Sequence, residues 1–296
     1  MTRSRRLGRA GLTLVELLVA LTVTTIAGAA LIQVMLAQNR ASGNNEAWRV
    51  ARAVSRGSLN RLLADLRVVE AEGALDISTV DGRNITLRVP YAIGVACNTS
   101  LPMAVTMLPV DNTQWAAARF AGFAWRDNNT SAYRYRTVSG NSATIFTPGT
   151  GSVCNAAGIT TLPASAGGGT AGRVVNLNAS SLGSGTPSVG MNVFVYQQVR
   201  YRFAPSFALP GRIALWREVL NGGPSEELAA PFDSSARFRF YVVGSDVAQG
   251  SVPSPRSLTR GIEVHLDGES ETQPAGSTDY KVVELTTSVF FKNRRD

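Results

Sequence analysis

The sequence is poor in the side chains that carry chemistry. Its 296 residues include one histidine, His265, and two cysteines, Cys97 and Cys154. A lone histidine excludes a His-based zinc cluster or a Cys–His pair of the usual kind, and without a CxxC a redox or metal role lacks its ligands. Serine is plentiful, but no GxSxG elbow occurs. Gly167, Gly169 and Gly172 spell GxGxxG, yet no convincing strand precedes them and no helix followed by an acid comes after, so a dinucleotide site lacks its context. A P-loop lysine is also missing. Asp267, Glu269, Glu271 and Asp279 offer carboxylates of the kind a hard cation takes, but in a Gly/Ser-rich turn they read as solvated charges. His265 alternates with Val264 and Leu266, which puts it on the polar face of a strand. No constellation supports catalysis, and no cofactor or metal is expected.

Charge is sparse as well, at 17% of residues. The formal net charge of +8 owes half its size to Arg3, Arg5, Arg6 and Arg9, which have no acid beside them. Without residues 1–11 the balance falls to +4, and the other arginines are scattered, so no nucleic-acid partner is expected. Lys and Arg flanking a membrane span stay on the cytoplasmic side. The leader therefore directs whatever follows a span outward.

Such a span is present. Residues 12–37 form an apolar run broken only by Glu16 and a few Thr, Gly and Gln, and about 20 apolar residues suffice to cross a bilayer. A secretory signal peptide is the competing reading, since Ala27-Gly28-Ala29 has a small-x-small form and would leave Ala30 as the new start. Against it, the run is too long, contains an acid, and continues through Leu31, Ile32, Val34, Met35 and Leu36. A charge in the middle of a span costs roughly 2.5 to 3.5 kcal/mol on insertion scales, so Glu16 requires a partner.

Helical spacing continues beyond the span. Trp48, Ala51, Val54, Leu59, Leu62, Leu66 and Val69 recur every three to four residues, while Arg52, Arg56, Arg61 and Arg67 take other faces. The spacing predicts one helix from about Leu12 to about Ala71, with Ser42-Gly43-Asn44-Asn45 and Gly57 as weak points. Its half from 12 to 37 is apolar all round; its half from 38 to 71 is amphipathic.

From about residue 76 the period changes to two. Ile85, Leu87 and Val89 predict a strand ending at Pro90. Phe120, Phe123, Trp125, Tyr133 and Tyr135 suit core or hairpin positions. Residues 139–190, rich in Gly, Ser, Thr and Ala, read as long loops. Further strands are predicted where Val193, Val195, Val199, Tyr201 and Phe203 share one parity, where Ile213, Leu215 and Val219 follow as a hairpin partner, and at Phe238 to Val242, Ile262 to Leu266 and Val283 to Val289. The fold class is α+β: a long N-terminal α-helical stalk, transmembrane in its first half, packed on an antiparallel β-sheet domain over residues 72–296.

The stretch Arg9-Ala10-Gly11-Leu12-Thr13-Leu14-Val15-Glu16, followed by the apolar run, strongly resembles the processing and assembly signal of type IV pilins and of the pseudopilins of type II secretion. The resemblance covers about a tenth of the chain. It implies a cleaved leader over residues 1–11, cut after Gly11 by prepilin peptidase, N-methylation of Leu12, and an assembly role for Glu16, the fifth residue of the mature chain. Leu12 departs from the phenylalanine most often found there. No proline precedes Pro90, which fits minor pilins and pseudopilins better than major pilins. Size, strand order, Leu215-Trp216-Arg217 and the Phe291-Lys292-Asn293-Arg294 end are similar, more loosely, to W-type minor pilins and J-type pseudopilins. The implied partners are prepilin peptidase, other pilins or pseudopilins, the assembly platform of the inner membrane, and membrane lipid. The implied location is the bacterial inner membrane, single-pass with the globular part outside the cytoplasm, and then a pilus or pseudopilus. In an exported domain Cys97 and Cys154 are most simply a disulfide, with two buried free thiols as the alternative. Two rival functions remain beside the structural one: a tip subunit that binds a surface, a ligand or DNA through its loops, and a membrane-anchored periplasmic enzyme or sensor.

Overall fold

A computed structural model describes residues 13–69, 75, 81–99, 103–107, 118–130, 132–137, 143–146, 154, 157–159, 173–177, 186–274 and 276–291. The first element is α1, Leu14–Val68, a single helix of 55 residues. At 1.5 Å per residue it is about 80 Å long. It passes without interruption through residues 42–45 and Gly57, because nothing crowds Gly43 or Gly57 and the flanking residues keep the helical period. Val69 caps it in an extended conformation. The predicted last turn, residues 70 and 71, lies outside the described residues.

The strands follow in chain order: β1 (Asn84–Ala96), β2 (Met103–Met107), β3 (Gly122–Arg126), β4 (Tyr133–Thr137), β5 (Ala143–Phe146), β6 (Arg173–Leu177), β7 (Asn192–Pro205), β8 (Ile213–Val219), β9 (Ser225–Phe232), β10 (Arg237–Val242), β11 (Thr259–His265), β12 (Gly268–Glu269), β13 (Val282–Val283) and β14 (Thr286–Phe290). Among the described residues, eleven of them form one sheet with the path β13-β12-β9-β8-β7-β1-β2-β6-β5 and β3-β4 attached beside β7; β10, β11 and β14 form a second. Every pairing is antiparallel.

Strand β7 is the spine. One of its edges pairs with β1 along most of its length, while the other is shared, β3 taking Val193–Tyr196 and β8 taking Val199–Pro205. Its inward residues Val199, Tyr201 and Phe203 face the helix, and Val193 and Val195 face a second apolar cluster with Phe123, Trp125 and Met103. Between β8 and β9 the chain reverses at Asn221 and Gly222, both at positive φ, the conformation that Asn-Gly pairs tolerate in tight hairpins.

Three sequence expectations require correction. The strand predicted over Val283 to Val289 is two, β13 pairing with β12 in the large sheet and β14 with β11 in the second. The strand at residue 85 does not end at Pro90 but runs on to Ala96, because the ladder to β7 shifts register between Pro90 and Ala92 and absorbs the ring that cannot donate. Residues 139–190 are not loops throughout either, since β5 and β6 lie inside that stretch and β6 pairs with both β2 and β5. The short runs Ala143-Thr144-Ile145-Phe146 and Arg173-Val174-Val175 are β-prone islands in a loop-like composition. Gly167, Gly169 and Gly172 lie outside the described residues.

The main core sits where the second half of α1 meets both sheets. Leu62, Leu66 and Val69 pack with Ile85, Leu87, Tyr201, Phe203, Leu215, Phe232, Phe238, Phe240, Ile262, Val264 and Leu266. Earlier in the helix the buried residues are small instead, Ala47, Ala51, Ser55 and Ser58. There β12 comes so close that a Cβ on Gly268 would collide with the Ala51 carbonyl and the Ser55 hydroxyl.

Candidate functional site

The candidate site has two parts, one at each end of α1. At the start, Thr13 is the N-cap and Glu16 the third helical residue, and together they form a capping box. The Glu16 N–H donates to Thr13 Oγ1 at 3.3 Å, while Glu16 Oε2 accepts from the Thr13 N–H at 2.9 Å and from its hydroxyl at 3.0 Å. Gly11 and Leu12 lie outside the described residues.

The surroundings of Glu16 are apolar and uncovered. Leu14, Leu17, Leu18, Leu21, Val23, Ile26, Leu31, Ile32, Val34 and Met35 are all more than half exposed, so nothing among the described residues buries this segment. The three threonines in it hide their hydroxyls in the helix: Thr22 donates to the Val19 carbonyl at 2.9 Å, Thr24 to Ala20 at 2.7 Å, and Thr25 to Leu21 at 3.0 Å and Thr22 at 2.8 Å. Such internal bonding is what hydrocarbon surroundings require of a polar group. Between residues 13 and 39 the one charged side chain is Glu16. The helix is long and apolar enough to cross a membrane.

At the far end, a buried polar joint ties helix to sheet. Asp65, on the inward stripe of α1, accepts from Tyr201 Oη at 2.7 Å and from Arg217 Nε at 2.9 Å. Arg217 also reaches Glu226 at 3.4 Å. Burial raises the Tyr201 phenol far above its ordinary pKa, and the Asp65 carboxylate beside it acts in the same direction. For Arg217 burial works toward neutrality, but the Asp65 carboxylate and the Tyr201 phenol together outweigh it and raise its pKa. A cleft of about 800 Å³ opens beside this joint, between Arg61, Asp65 and Val68 on the helix and Tyr91, Gln197 and Glu226 on the sheet side.

The joint was missed by periodicity alone, though its signal is present. Asp65 sits beside Leu66 on the inward stripe, and Arg217 falls between Leu215 and Val219 on the inward parity of β8. Two opposite charges at core positions of two elements are a reason to pair those elements.

Other residues singled out in the sequence have structural partners. Cys97 and Cys154 form a disulfide with a Cα–Cα distance of 4.7 Å, packed on Ala104 and Ile159. His265 Nε2 lies 2.7 Å from Glu263 Oε1, on the outward side of β11. Partial burial raises the Glu263 pKa, but hydrogen bonds from His265 and Tyr241 outweigh that and hold it below the ordinary range. Asp267 accepts from the Ser235 hydroxyl at 2.7 Å, and Glu269 pairs with Arg212 at 2.6 Å. Among the described residues no group of three His, Cys, Asp or Glu is placed to hold a metal ion. Phe123 and Trp125 are buried, and Tyr133 and Tyr135 lie in the β3–β4 hairpin.

The chain is thus a single apolar N-terminal helix carried on an antiparallel β domain, and no family model, curated protein or solved structure matches it.

Proposed function

We propose that this chain is a minor pilin or pseudopilin: a non-enzymatic subunit made as a prepilin, held in the inner membrane by α1, and assembled at low copy into a type IV pilus or a type II secretion pseudopilus. One observation carries the reading. A lone carboxylate occupies the first turn of a helix whose next twenty residues are mostly apolar, largely exposed and covered by nothing among the described residues. Such a surface suits lipid before assembly and neighbouring apolar helices after it. In the proposed mechanism prepilin peptidase cuts after Gly11 and methylates Leu12. The carboxylate of Glu16 then neutralises the α-amine of a neighbouring subunit, offsetting two charges that are each costly in a dry helical core. The capping box supports this by giving Glu16 a partner, the Thr13 N–H, until the neighbour's amine arrives.

Intact mass and N-terminal sequence of the protein from membranes of its own host test the proposal. A start at Leu12 with the mass of one added methyl group is expected. A start at Ala30 would make it a soluble exported protein and Met1 retained a plain anchor, and either overturns the role given to Glu16.

A further inference from the structure

Folding gathers on one surface arginines that the sequence scatters. On β7 the residues Gln198, Arg200 and Arg202 alternate with Val199, Tyr201 and Phe203, which belong to the main core beneath α1. The three therefore lie on the face of the large sheet turned away from the helix. Register carries neighbours onto the same face: Arg88 stands opposite Gln198, Glu218 opposite Arg200, and Trp216 opposite Arg202. Further along β7 that face carries Phe194, with Tyr133 and Tyr135 beside it from β4.

Two of these guanidiniums are held in place without being satisfied. Arg202 lies over the Trp216 ring at 5.5 Å, and Trp216 Nε1 is tied to the Pro205 carbonyl at 3.1 Å. Among the described residues the carboxylate near Arg200 and Arg202 is that of Glu218 alone, at 3.6 Å and 3.9 Å, and both distances are beyond hydrogen-bond reach. The arginine side chains are 30% and 38% exposed. Two cations thus share one acid loosely, leaving positive charge in surplus and N–H donors open from outside.

Beyond them the face turns aromatic. Arg88 lies over the Tyr135 ring at 5.2 Å, and Tyr133 meets Phe194 edge-on at 5.9 Å. Tyr133, Tyr135 and Phe194 are all half-buried, so part of each ring meets solvent. From Arg202 to Phe194 the row runs about 27 Å along β7.

We infer that this face binds a single-stranded nucleic acid laid along β7, its phosphates held by Arg200 and Arg202 and its bases stacked on Tyr135, Tyr133 and Phe194. The guanidinium fork matches a phosphate through two parallel N–H bonds. A row of cations that leads into exposed rings suits a strand with a charged backbone and unpaired bases. A duplex keeps its bases stacked inside and engages only the arginines. This reverses the expectation drawn from the spacing of arginines in the sequence, because β pairing and not sequence proximity brings them together. The helix packs on the opposite face, so contacts made through its apolar half do not use this surface, and the inference stands apart from the function proposed above.

The test is the fluorescence anisotropy of a dye-labelled oligothymidylate titrated with the full-length protein in detergent. Arg200→Gln, Arg202→Gln should weaken binding about tenfold at about 0.1 M salt and flatten the slope of log K against log salt by about 1.4. Glu218→Gln removes the competing carboxylate and should tighten binding about threefold, a gain that misfolding does not produce. Tyr135→Leu should weaken binding of the oligothymidylate about tenfold and leave binding of inorganic polyphosphate unchanged. Binding by the double arginine variant as tight as by the parent, or no gain in Glu218→Gln, overturns the inference. Equal affinity for duplex and single strand, or an equal loss of polyphosphate binding in Tyr135→Leu, would make the face a general polyanion surface and would also overturn it.

Discussion

Arg217 Nε donates to Asp65 Oδ2 at 2.9 Å across 152 positions of sequence, joining the middle of β8 to the last turns of α1. The guanidinium side chain is 5% exposed. A buried charge that loses its partner is far more costly than the pair is stabilising, and removing one member typically costs about 3–5 kcal/mol. Asp65→Ala should therefore lower the stability of the β domain by that amount, read by urea denaturation in detergent. The double variant Asp65→Leu, Arg217→Met should recover most of the loss. A single variant as stable as the parent would show that the joint does not hold helix to sheet.

Gly268→Ala tests the close approach at the other end of the interface. Its Cβ has no room against Ala51 and Ser55, and overpacking of this kind costs about 1–3 kcal/mol. Gly43→Ala is the contrasting change, since nothing lies within 4 Å of that position. There the loss of a helix-interior glycine should stabilise by about 0.5–1 kcal/mol. Opposite shifts in thermal midpoint are expected.

Glu16→Ala should leave cleavage after Gly11 largely intact and impair incorporation into filaments, measured as the ratio of processed protein in sheared filaments to that in membranes. Normal entry of the variant would sink the pairing with a neighbour's amine. Because Glu16 also caps its own helix, a parallel Thr13→Ala variant is informative. It removes the hydroxyl side of the capping box, a loss of about 1 kcal/mol at the helix start, and should spare incorporation.

Glu263 gives a pH signature. Its carboxyl is held below the ordinary range in the folded chain, so its contribution is present above the unfolded pKa and is lost as pH falls through the lower, folded value. Glu263→Gln should therefore be less stable than the parent at about pH 6, and the gap should close on acidification below about pH 4. A gap that stays constant over that range would assign the effect to packing.

Much of the fold was legible because burial leaves a period. Leu62, Leu66 and Val69 disclosed the inward stripe of α1, and Val199, Tyr201 and Phe203 the inward parity of β7. What escaped was whatever interrupts a period without ending an element. Pro90 looks like a strand end, yet a register shift beside it lets β1 continue. Strand β9 begins Ser225-Glu226-Glu227, and its pairing with β8 rather than its composition makes it a strand. Of the proposed assembly site, Glu16 was legible as a charge out of place. The Asp65–Arg217 pair is hidden because each charge breaks the apolar period of its own element, and only the fold brings the two together.

Since α1 crosses the sheet from β12, at Ala51 and Ser55, to β7 and β8, at Asp65, a pull on its N-terminal end loads the interface lengthwise. Force that enters at residue 14 passes the small-residue contact with Gly268 before it reaches Asp65, and the two share it as fasteners along a seam. Separating them means sliding the helix past both at once, a shear failure and not a peel. The domain is thereby built to be dragged by its stalk without being stripped from it.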